Sequence, residues 1–163
     1  MLVLLYILHH MLETPHVLVG AAIATAIPNP AISIPLALAS HVLLDRIPHW
    51  NPHFYTETQK YGQPTPKSTA IAIVDSAAAL TAGLFLAARF LPNYGGAISV
   101  IAACLASVLS DQIKMPYFFF KQRTGFFKFW TNLERSWQVE ASFIPGIITQ
   151  ILISLAALWW ILV

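Results

Sequence analysis

Charged side chains are scarce in this chain: Asp, Glu, Lys and Arg make up only 10% of its 163 residues, against roughly 25% in ordinary soluble domains. Hydrophobic residues make up 57%. This composition argues against a soluble globular domain and indicates an integral membrane protein. The net charge of +2 is too small to suggest a nucleic-acid partner, which would require a strongly basic surface. The single cysteine, Cys104, excludes an internal disulfide framework.

The chain also lacks an internal repeat and a low-complexity tract. Its length leaves room for about five spans of about 20 residues each and for little else. We therefore predict an all-α bundle of about five transmembrane helices, forming a single membrane-embedded domain over residues 1–163. Residues 1–10 are apolar but lack the basic leader of a signal peptide. They are interpreted as a candidate N-terminal extension, with Met11 as an alternative initiator.

Proline and glycine divide the chain into the predicted helices. Thr14 is predicted to cap the first helix, with Pro15 at its first position. Pro48 disfavours helix at the preceding residue and should end the second helix. Residues 48–67 are predicted to form a polar loop outside the hydrocarbon layer. The predicted helices cover residues 16–27, 31–47, 68–91, 97–114 and 142–163.

Residues 115–137 are rich in aromatic and basic side chains. Aromatic rings anchor in the headgroup layer of a membrane, and basic side chains there meet anionic lipid. We predict that this segment is interfacial and that membrane lipid is a partner. It is either a simple aromatic belt between two spans or a lid that admits lipid headgroups.

Positive charge predicts the orientation of the bundle. Arg89 lies beside the short turn at 92–96, whereas every other basic residue falls at or in the two longer loops. Those loops flank the hairpin of the third and fourth helices, so they share one side of the membrane, which the positive-inside rule makes cytoplasmic. We predict a multi-pass protein of the inner (plasma) membrane with a cytoplasmic N-terminus. The basic residues of the two loops are Arg46, Lys60, Lys67, Lys114, Lys121, Arg123, Lys128 and Arg135.

Three candidate metal ligands lie four residues apart at the end of the second helix. His41 and Asp45 are one helical turn apart on nearly the same face. His49 follows Pro48 and could fold back towards that face. Two imidazoles and a carboxylate suit zinc or a similar divalent ion, so we predict a divalent metal cofactor, most consistent with zinc.

Further polar residues converge on the same end of the bundle. His16 begins the first helix, Asp75 lies about two turns into the third, and Asp111 closes the fourth. At about 1.5 Å rise per residue, His41 and Asp75 should lie at similar depths, roughly 10 Å below one surface. We therefore expect the candidate ligands to gather in the cytoplasmic half of the membrane.

These residues carry a resemblance to a known family. The run Thr-Pro-His at 14–16 and the pattern His-x3-Asp-x2-Pro-His at 41–49 resemble small bacterial inner-membrane metal-dependent hydrolases, whose relatives include a LexA-binding membrane protein. The His-x3-Asp spacing alone is similar to the zinc-dependent phospholipase C group. The chain departs from the family in having no histidine in residues 132–140. The metal-site residues that the resemblance implies are His16, His41, Asp45, His49 and Asp111.

The favoured function is metal-dependent hydrolysis of a phosphoester or of a lipid-borne substrate at the cytoplasmic face. Asp75 is surrounded by apolar residues, so its carboxylate requires a partner inside the bundle: a metal, His41 or a proton. Asp75 and Asp111 are the candidate catalytic residues, either of which could accept the proton of a water molecule activated by the metal.

Other interpretations stay open at this point. His41 could form a structural hydrogen-bonded pair with Asp75 or Asp45, in a non-catalytic protein that serves as an assembly or regulatory partner of another protein. Intramembrane Asp and His residues also build relays in small proton or metal-ion carriers. Asp111 could pair with Lys114 one turn on, as on an ordinary helix surface. Gln150 is expected to join helices by hydrogen bonds.

Overall fold

The computed structural model describes residues 11–163. The candidate N-terminal extension at 1–10 lies outside the described residues. The described part is all-α, as predicted, and its one β-type pairing is an isolated bridge between His49 and Glu140. Its seven helices are α1 (Glu13–Ala26), α2 (Pro30–Asp45), α3 (Phe54–Tyr61), α4 (Pro66–Ala88), α5 (Tyr94–Phe119), α6 (Gly125–Arg135) and α7 (Phe143–Leu162).

Three helices, α4, α5 and α7, are long and apolar enough to cross a membrane. The first two helices are shorter: α1 has 14 residues and α2 has 16. At about 1.5 Å per residue these reach roughly 21 and 24 Å, less than the hydrocarbon thickness of about 30 Å. Pro28 and Pro30 cause the shortening, because α1 ends before the first and α2 begins at the second. The prediction of about five spans is therefore supported for three helices.

Helix α1 lies at the centre of the bundle, packed against α2, α4, α5 and α7. Small side chains allow the close approach: a Cβ on Gly20 would lie 2.8 Å from the carbonyl oxygen of Ala103 on α5. Ala21 and Ala37 are also completely buried in this core. Close packing of small residues is typical of helix contacts within membranes, and here it brings His16 on α1 close to α2 and α5.

The predicted cap of α1 is wrong. Thr14 lies inside the helix, and the N-cap residue is Leu12. The Leu12 side chain accepts no hydrogen bond from the N–H groups of the first turn. Helices α2, α4 and α5 by contrast are capped by Asn29, Thr65 and Asn93, whose side chains accept hydrogen bonds from backbone N–H groups of the first turn. The first N–H groups of α1 therefore need acceptors from elsewhere in the fold.

The predicted loop 48–67 and interfacial segment 115–137 both contain more helix than expected. Helix α3 lies within the loop, and α5 continues through Pro116 to Phe119 before α6 begins. The two segments lie at the same end of the bundle, as predicted. The guanidinium of Arg123 donates to the Gly62 carbonyl, and Arg135 lies 4.0 Å from the centre of the Tyr55 ring.

The chain after α6 is bonded to the end of α2. The Val139 N–H donates to the Asp45 carbonyl at 3.0 Å, and the His49 N–H donates to the Val139 carbonyl at 3.1 Å. Gln150 of α7 joins the same region, as expected, because its amide donates to the Trp50 carbonyl at 2.6 Å and accepts from the Leu12 N–H at 2.9 Å. These bonds fix the end of α2, and so the position of Asp45.

Candidate metal centre

Four buried side chains from three helices meet at one end of the bundle and are called the His–Asp cluster below. His16 comes from α1, His41 and Asp45 from α2, and Asp111 from α5, and each is at most 5% exposed. His16, His41 and Asp111 each offer a ligand atom, and these three atoms lie within 4.8 Å of one another. The structure thus brings together four of the five residues predicted at the metal site.

Asp45 lies between the two imidazoles. Its Oδ1 is 3.4 Å from Nε2 of His16, and its Oδ2 is 3.4 Å from Nε2 of His41. Two ligand atoms about 2.05 Å from a tetrahedral zinc ion are about 3.3 Å apart. The spacing of these donors is therefore close to that of neighbouring ligands around one ion.

Hydrogen bonds orient the atoms with which these side chains could bind a metal ion. The Nδ1–H of His41 donates to the Ser107 carbonyl at 2.8 Å, so in the neutral ring Nε2 carries the lone pair. The amide of Gln138 donates to Asp45 Oδ2 at 3.1 Å. Such bonds behind the ligands orient imidazoles and carboxylates in metal sites.

The two histidine rings are also held against each other. The rings of His16 and His41 are stacked, with centroids 4.3 Å apart and an angle of 23° between their planes. Among the described residues, neither ring nitrogen of His16 nor Nε2 of His41 has a hydrogen bond of ordinary geometry, although all three atoms are buried. The two Nε2 atoms lie 3.4 Å from oxygens of the Asp45 carboxylate, and a metal ion could bind one nitrogen of each ring.

Lys114 and Glu134 extend the His–Asp cluster. The Lys114 Nζ lies 2.6 Å from Asp111 Oδ1 and forms an ion pair with Glu134 of α6. Glu134 Oε1 is also 3.8 Å from Nε2 of His41. The expected pairing of Asp111 with Lys114 is confirmed, but it lies in the interior rather than on a helix surface, because Lys114 is only 1% exposed.

Carboxylates outnumber ammonium groups in and around the cluster, whose other ionisable side chains are the imidazoles of His16 and His41. Three carboxylates, those of Asp45, Asp111 and Glu134, surround the one ammonium of Lys114. Burial raises the pKa of Glu134 above its ordinary value, although the charge of Lys114 opposes this shift. Such an arrangement favours the uptake of protons or of a further cation.

His49 lies at the same end of the bundle and is completely buried. Its Nδ1–H donates to the Ile47 carbonyl at 2.8 Å, and its backbone bonds to residues 139 and 141. The group of three whose ligand atoms lie within 4.8 Å contains His16, His41 and Asp111. His49 thus folds back as predicted, but both His49 and Asp45 stand outside that group.

Asp75 has a partner that the sequence analysis did not consider. Its carboxylate accepts hydrogen bonds from the Glu13 N–H at 2.5 Å and from the Thr14 hydroxyl at 2.6 Å. These bonds supply the missing cap at the N-terminus of α1, two residues before His16. The hydrogen-bond partners of this carboxylate thus lie at the end of a neighbouring helix, and His41 is not one of them.

A small cleft reaches the His–Asp cluster from the side of α4. Asp111 and Lys114 line it together with Asp75 and Phe118, and it offers about 50 Å³ to the centres of water-sized molecules. Asp111 therefore belongs both to the metal group and to the wall of the cleft. Water can approach Asp111 here, the one residue of the four in the cluster that lines the cleft.

Sequence reasoning missed Lys114, Glu134 and Gln138 as members of this site. A signal was present for Lys114, because it continues an apolar helix in which a charge is costly and marks a functional position. Glu134 stands on an amphipathic helix among basic and aromatic residues, where a surface position is the usual expectation. Only the packing of α6 against α5 brings its carboxylate inside.

The residues present fit a divalent metal ion. Two imidazoles and the carboxylates of Asp45 and Asp111 are the donor types that zinc and similar ions take in proteins, and the buried ring nitrogens described above remain to be satisfied. Comparison with known proteins found no protein-family model, no curated protein and no solved structure that matches this chain.

Proposed function

We propose that this protein is a membrane-embedded metal-dependent hydrolase of phosphoesters. The observation that carries the proposal is the meeting of His16, His41 and Asp111 within 4.8 Å, beside a cleft that Asp111 itself lines. A purely structural cluster would not need access from outside. An enzyme requires that its metal ligands and its substrate share one space.

His16, His41 and Asp45 would hold the ion, and Asp111 would complete the set from the side of the cleft. A divalent ion at this place supplies a Lewis acid that lowers the pKa of water. Zinc is the ion favoured by the two imidazoles, which are softer ligands than the oxygens that magnesium and calcium prefer. His49 is proposed to support the end of α2.

Asp111 and Lys114 would act on the molecules that enter. Asp111 is the carboxylate placed to accept a proton from water in the cleft. Lys114, whose ammonium lies 2.6 Å from Asp111, is also a lining residue of the cleft, and its charge would attract a phosphoryl oxygen and stabilise its developing charge. Asp75 would act as a positioning residue, because its carboxylate holds the helix that carries His16.

Elemental analysis of the purified, unchelated protein, followed by hydrolysis assays, tests the proposal. We expect about one divalent ion per chain and hydrolysis of bis(p-nitrophenyl) phosphate or phospholipid that is lost with a chelator and restored with zinc. The variant His41→Ala should lose both properties. His53→Ala, which changes a histidine outside the cluster, should keep both.

One alternative has a specific observation in its favour. The ion pairs of Lys114 with Asp111 and Glu134 neutralise part of the cluster without any metal, which suits a structural network in a non-catalytic protein. That alternative predicts a metal-free, fully folded protein that hydrolyses no member of a broad panel of esters and phosphoesters. If the cluster instead holds a structural metal, the purified protein should contain the ion and still hydrolyse none of these substrates.

A further inference from the structure

Lys114 is a buried ammonium between two carboxylates from different helices. Its Nζ lies 2.6 Å from Oδ1 of Asp111 on its own helix, α5, and is paired with Glu134 of α6. Lys114 is 1% exposed and Glu134 is completely buried. A charge removed from water is costly unless opposite charges compensate it. The two carboxylates therefore require a cation at this place, and Lys114 provides it.

This ammonium lies directly beside the His–Asp cluster. The Asp111 oxygen that contacts Lys114 is also 3.9 Å from Nε2 of His41. Oε1 of Glu134 is 3.8 Å from the same nitrogen. That oxygen is buried and, among the residues that the structure describes, has no hydrogen bond of ordinary geometry. Asp111 and Glu134 thus face both the candidate metal ligands and the ammonium.

The charges in contact here balance with a single divalent ion. When ionised, the carboxylates of Asp45, Asp111 and Glu134 carry three negative charges, and imidazoles are neutral when they bind a metal. One divalent ion and the ammonium of Lys114 together carry three positive charges. A second divalent ion beside the ammonium would leave two surplus positive charges in a buried volume, which is costly.

The donors around the ammonium are those of a hard cation. Carboxylate oxygens suit magnesium and manganese, which usually keep water molecules at their other positions. Asp111 also lines the cleft, so water can approach one of the two donors. Two-metal hydrolytic sites place their ions about 3.5–4 Å apart, a range over which one carboxylate can contact both. Asp111 has the corresponding position between His41 and Lys114.

We propose that the ammonium of Lys114 takes the place of a second divalent cation and limits the His–Asp cluster to one metal ion. The inference rests on the metal site of the proposed function and does not depend on hydrolysis. It requires that removal of the ammonium increases the number of ions that the protein binds. An ion pair with a purely structural role would instead lose stability without any gain of an ion.

A manganese titration followed by electron paramagnetic resonance tests the proposal. The full chain in detergent is loaded with zinc and then titrated with Mn²⁺, which does not displace zinc because it binds nitrogen and oxygen ligands more weakly. Lys114→Ala removes the ammonium and leaves room for a hydrated ion. Lys114→Arg is the matched control that keeps the positive charge. Lys128→Ala removes an exposed charge from α6 and so controls for net charge.

We expect Lys114→Ala to bind one Mn²⁺ per chain in addition to its zinc, with an affinity at least about tenfold above that of the parent. Lys114→Arg and Lys128→Ala should bind no more Mn²⁺ than the parent. Adding Glu134→Gln to Lys114→Ala should abolish the gain, because one of the two charged donors becomes neutral. Mn²⁺ should also raise the unfolding temperature of Lys114→Ala and not that of the parent.

Two results would overturn the inference: equal Mn²⁺ binding by Lys114→Ala and the parent, or a parent that already binds two ions. If Lys114→Ala does not fold, Lys114→Ser is measured in the same way. Failure of both variants to fold with Mn²⁺ present would also overturn it, because the added ion is expected to replace the missing charge.

The same titration separates this inference from the proposed function. A parent without zinc and a Lys114→Ala variant that gains Mn²⁺ would overturn the proposed function alone. Zinc in both proteins without additional Mn²⁺ in the variant would overturn this inference alone.

Discussion

The Nδ1 atom of His41 lies 2.8 Å from the backbone carbonyl of Ser107. This contact joins α2 to α5 and turns Nε2 of the same ring towards Asp45, 3.4 Å away. Gly20 on α1 packs against Ser107 from the other side, since a Cβ there would lie 2.9 Å from the Ser107 hydroxyl. The packing of small residues therefore determines the direction of a candidate metal ligand.

The first prediction concerns the metal content. His16→Ala, His41→Ala and Asp45→Ala should each lower the bound metal to near zero, because loss of a ligand weakens binding by more than the roughly 10- to 100-fold seen for residues behind the ligands. The measurement is elemental analysis of protein purified without chelator. Full occupancy in these variants, or a parent protein without metal, would contradict the assigned site.

Lys114→Met should destabilise the metal-free protein by about 3–5 kcal/mol, because it leaves the carboxylates of Asp111 and Glu134 buried without their shared cation. Thermal unfolding in detergent with a chelator measures this. Adding Glu134→Gln to Lys114→Met should recover much of the loss, since one of the two carboxylates is then neutral. A single variant as stable as the parent would show that Lys114 does not neutralise the cluster.

For Asp75, the structure favours a stability effect over a catalytic one. Asp75→Ala should lower the free energy of unfolding by about 0.5–2 kcal/mol, the usual cost of removing a helix cap. Asp75→Asn retains an oxygen acceptor for the Thr14 hydroxyl and should cost less. Both variants should keep their metal and lose less than about tenfold in turnover.

A general base at Asp75 would give a different result. Asp75→Asn would then lose at least about a hundredfold in hydrolysis while remaining folded and loaded with metal. Kinetics at saturating substrate, measured beside Asp111→Asn, separate the two roles. The Asp111 variant should lose turnover in either case, because that carboxylate lies at both the metal group and the cleft.

The orientation in the membrane can be checked with single cysteines in a Cys104→Ala background. Lys60, Lys128 and Tyr94 are all exposed, and Tyr94 begins α5 at the end opposite the other two. The positive-inside rule predicts that an impermeant thiol reagent applied to intact cells labels a cysteine at 94 and neither of the others. Labelling at 60 and 128 but not at 94 would reverse the assignment.

Much of the helical pattern could be read from local sequence. The apolar runs that became α4 and α7 were predicted to within a few residues, because hydropathy is a local property of the sequence. Thr65 and Pro66 also mark the start of α4. The longer extent of α5 could not be read in this way. Tyr117 and Phe118 pack against Phe54 of α3, and this tertiary contact favours continuing the helix beyond Pro116.

The candidate site, too, could be predicted only in part from local sequence. The spacing of His41 and Asp45 placed them on one helical face, since residues four apart lie one turn from each other, and the structure confirms their contact. Nothing local indicated that Glu134 would face inwards or that Asp75 would cap a helix about 60 residues earlier in the chain. Those positions depend on which helices pack together.

By itself, the sequence determined that this protein is helical, that it is apolar enough for a membrane and that a His–Asp pair stands at the end of its second helix, because composition and helical periodicity are local properties. Only the tertiary structure decided which carboxylates surround that pair, that a lysine joins them and that a cleft reaches them. The physical reason is that small residues let α1 pack at the centre of the bundle. This packing brings charged residues that are far apart in the sequence into one buried volume.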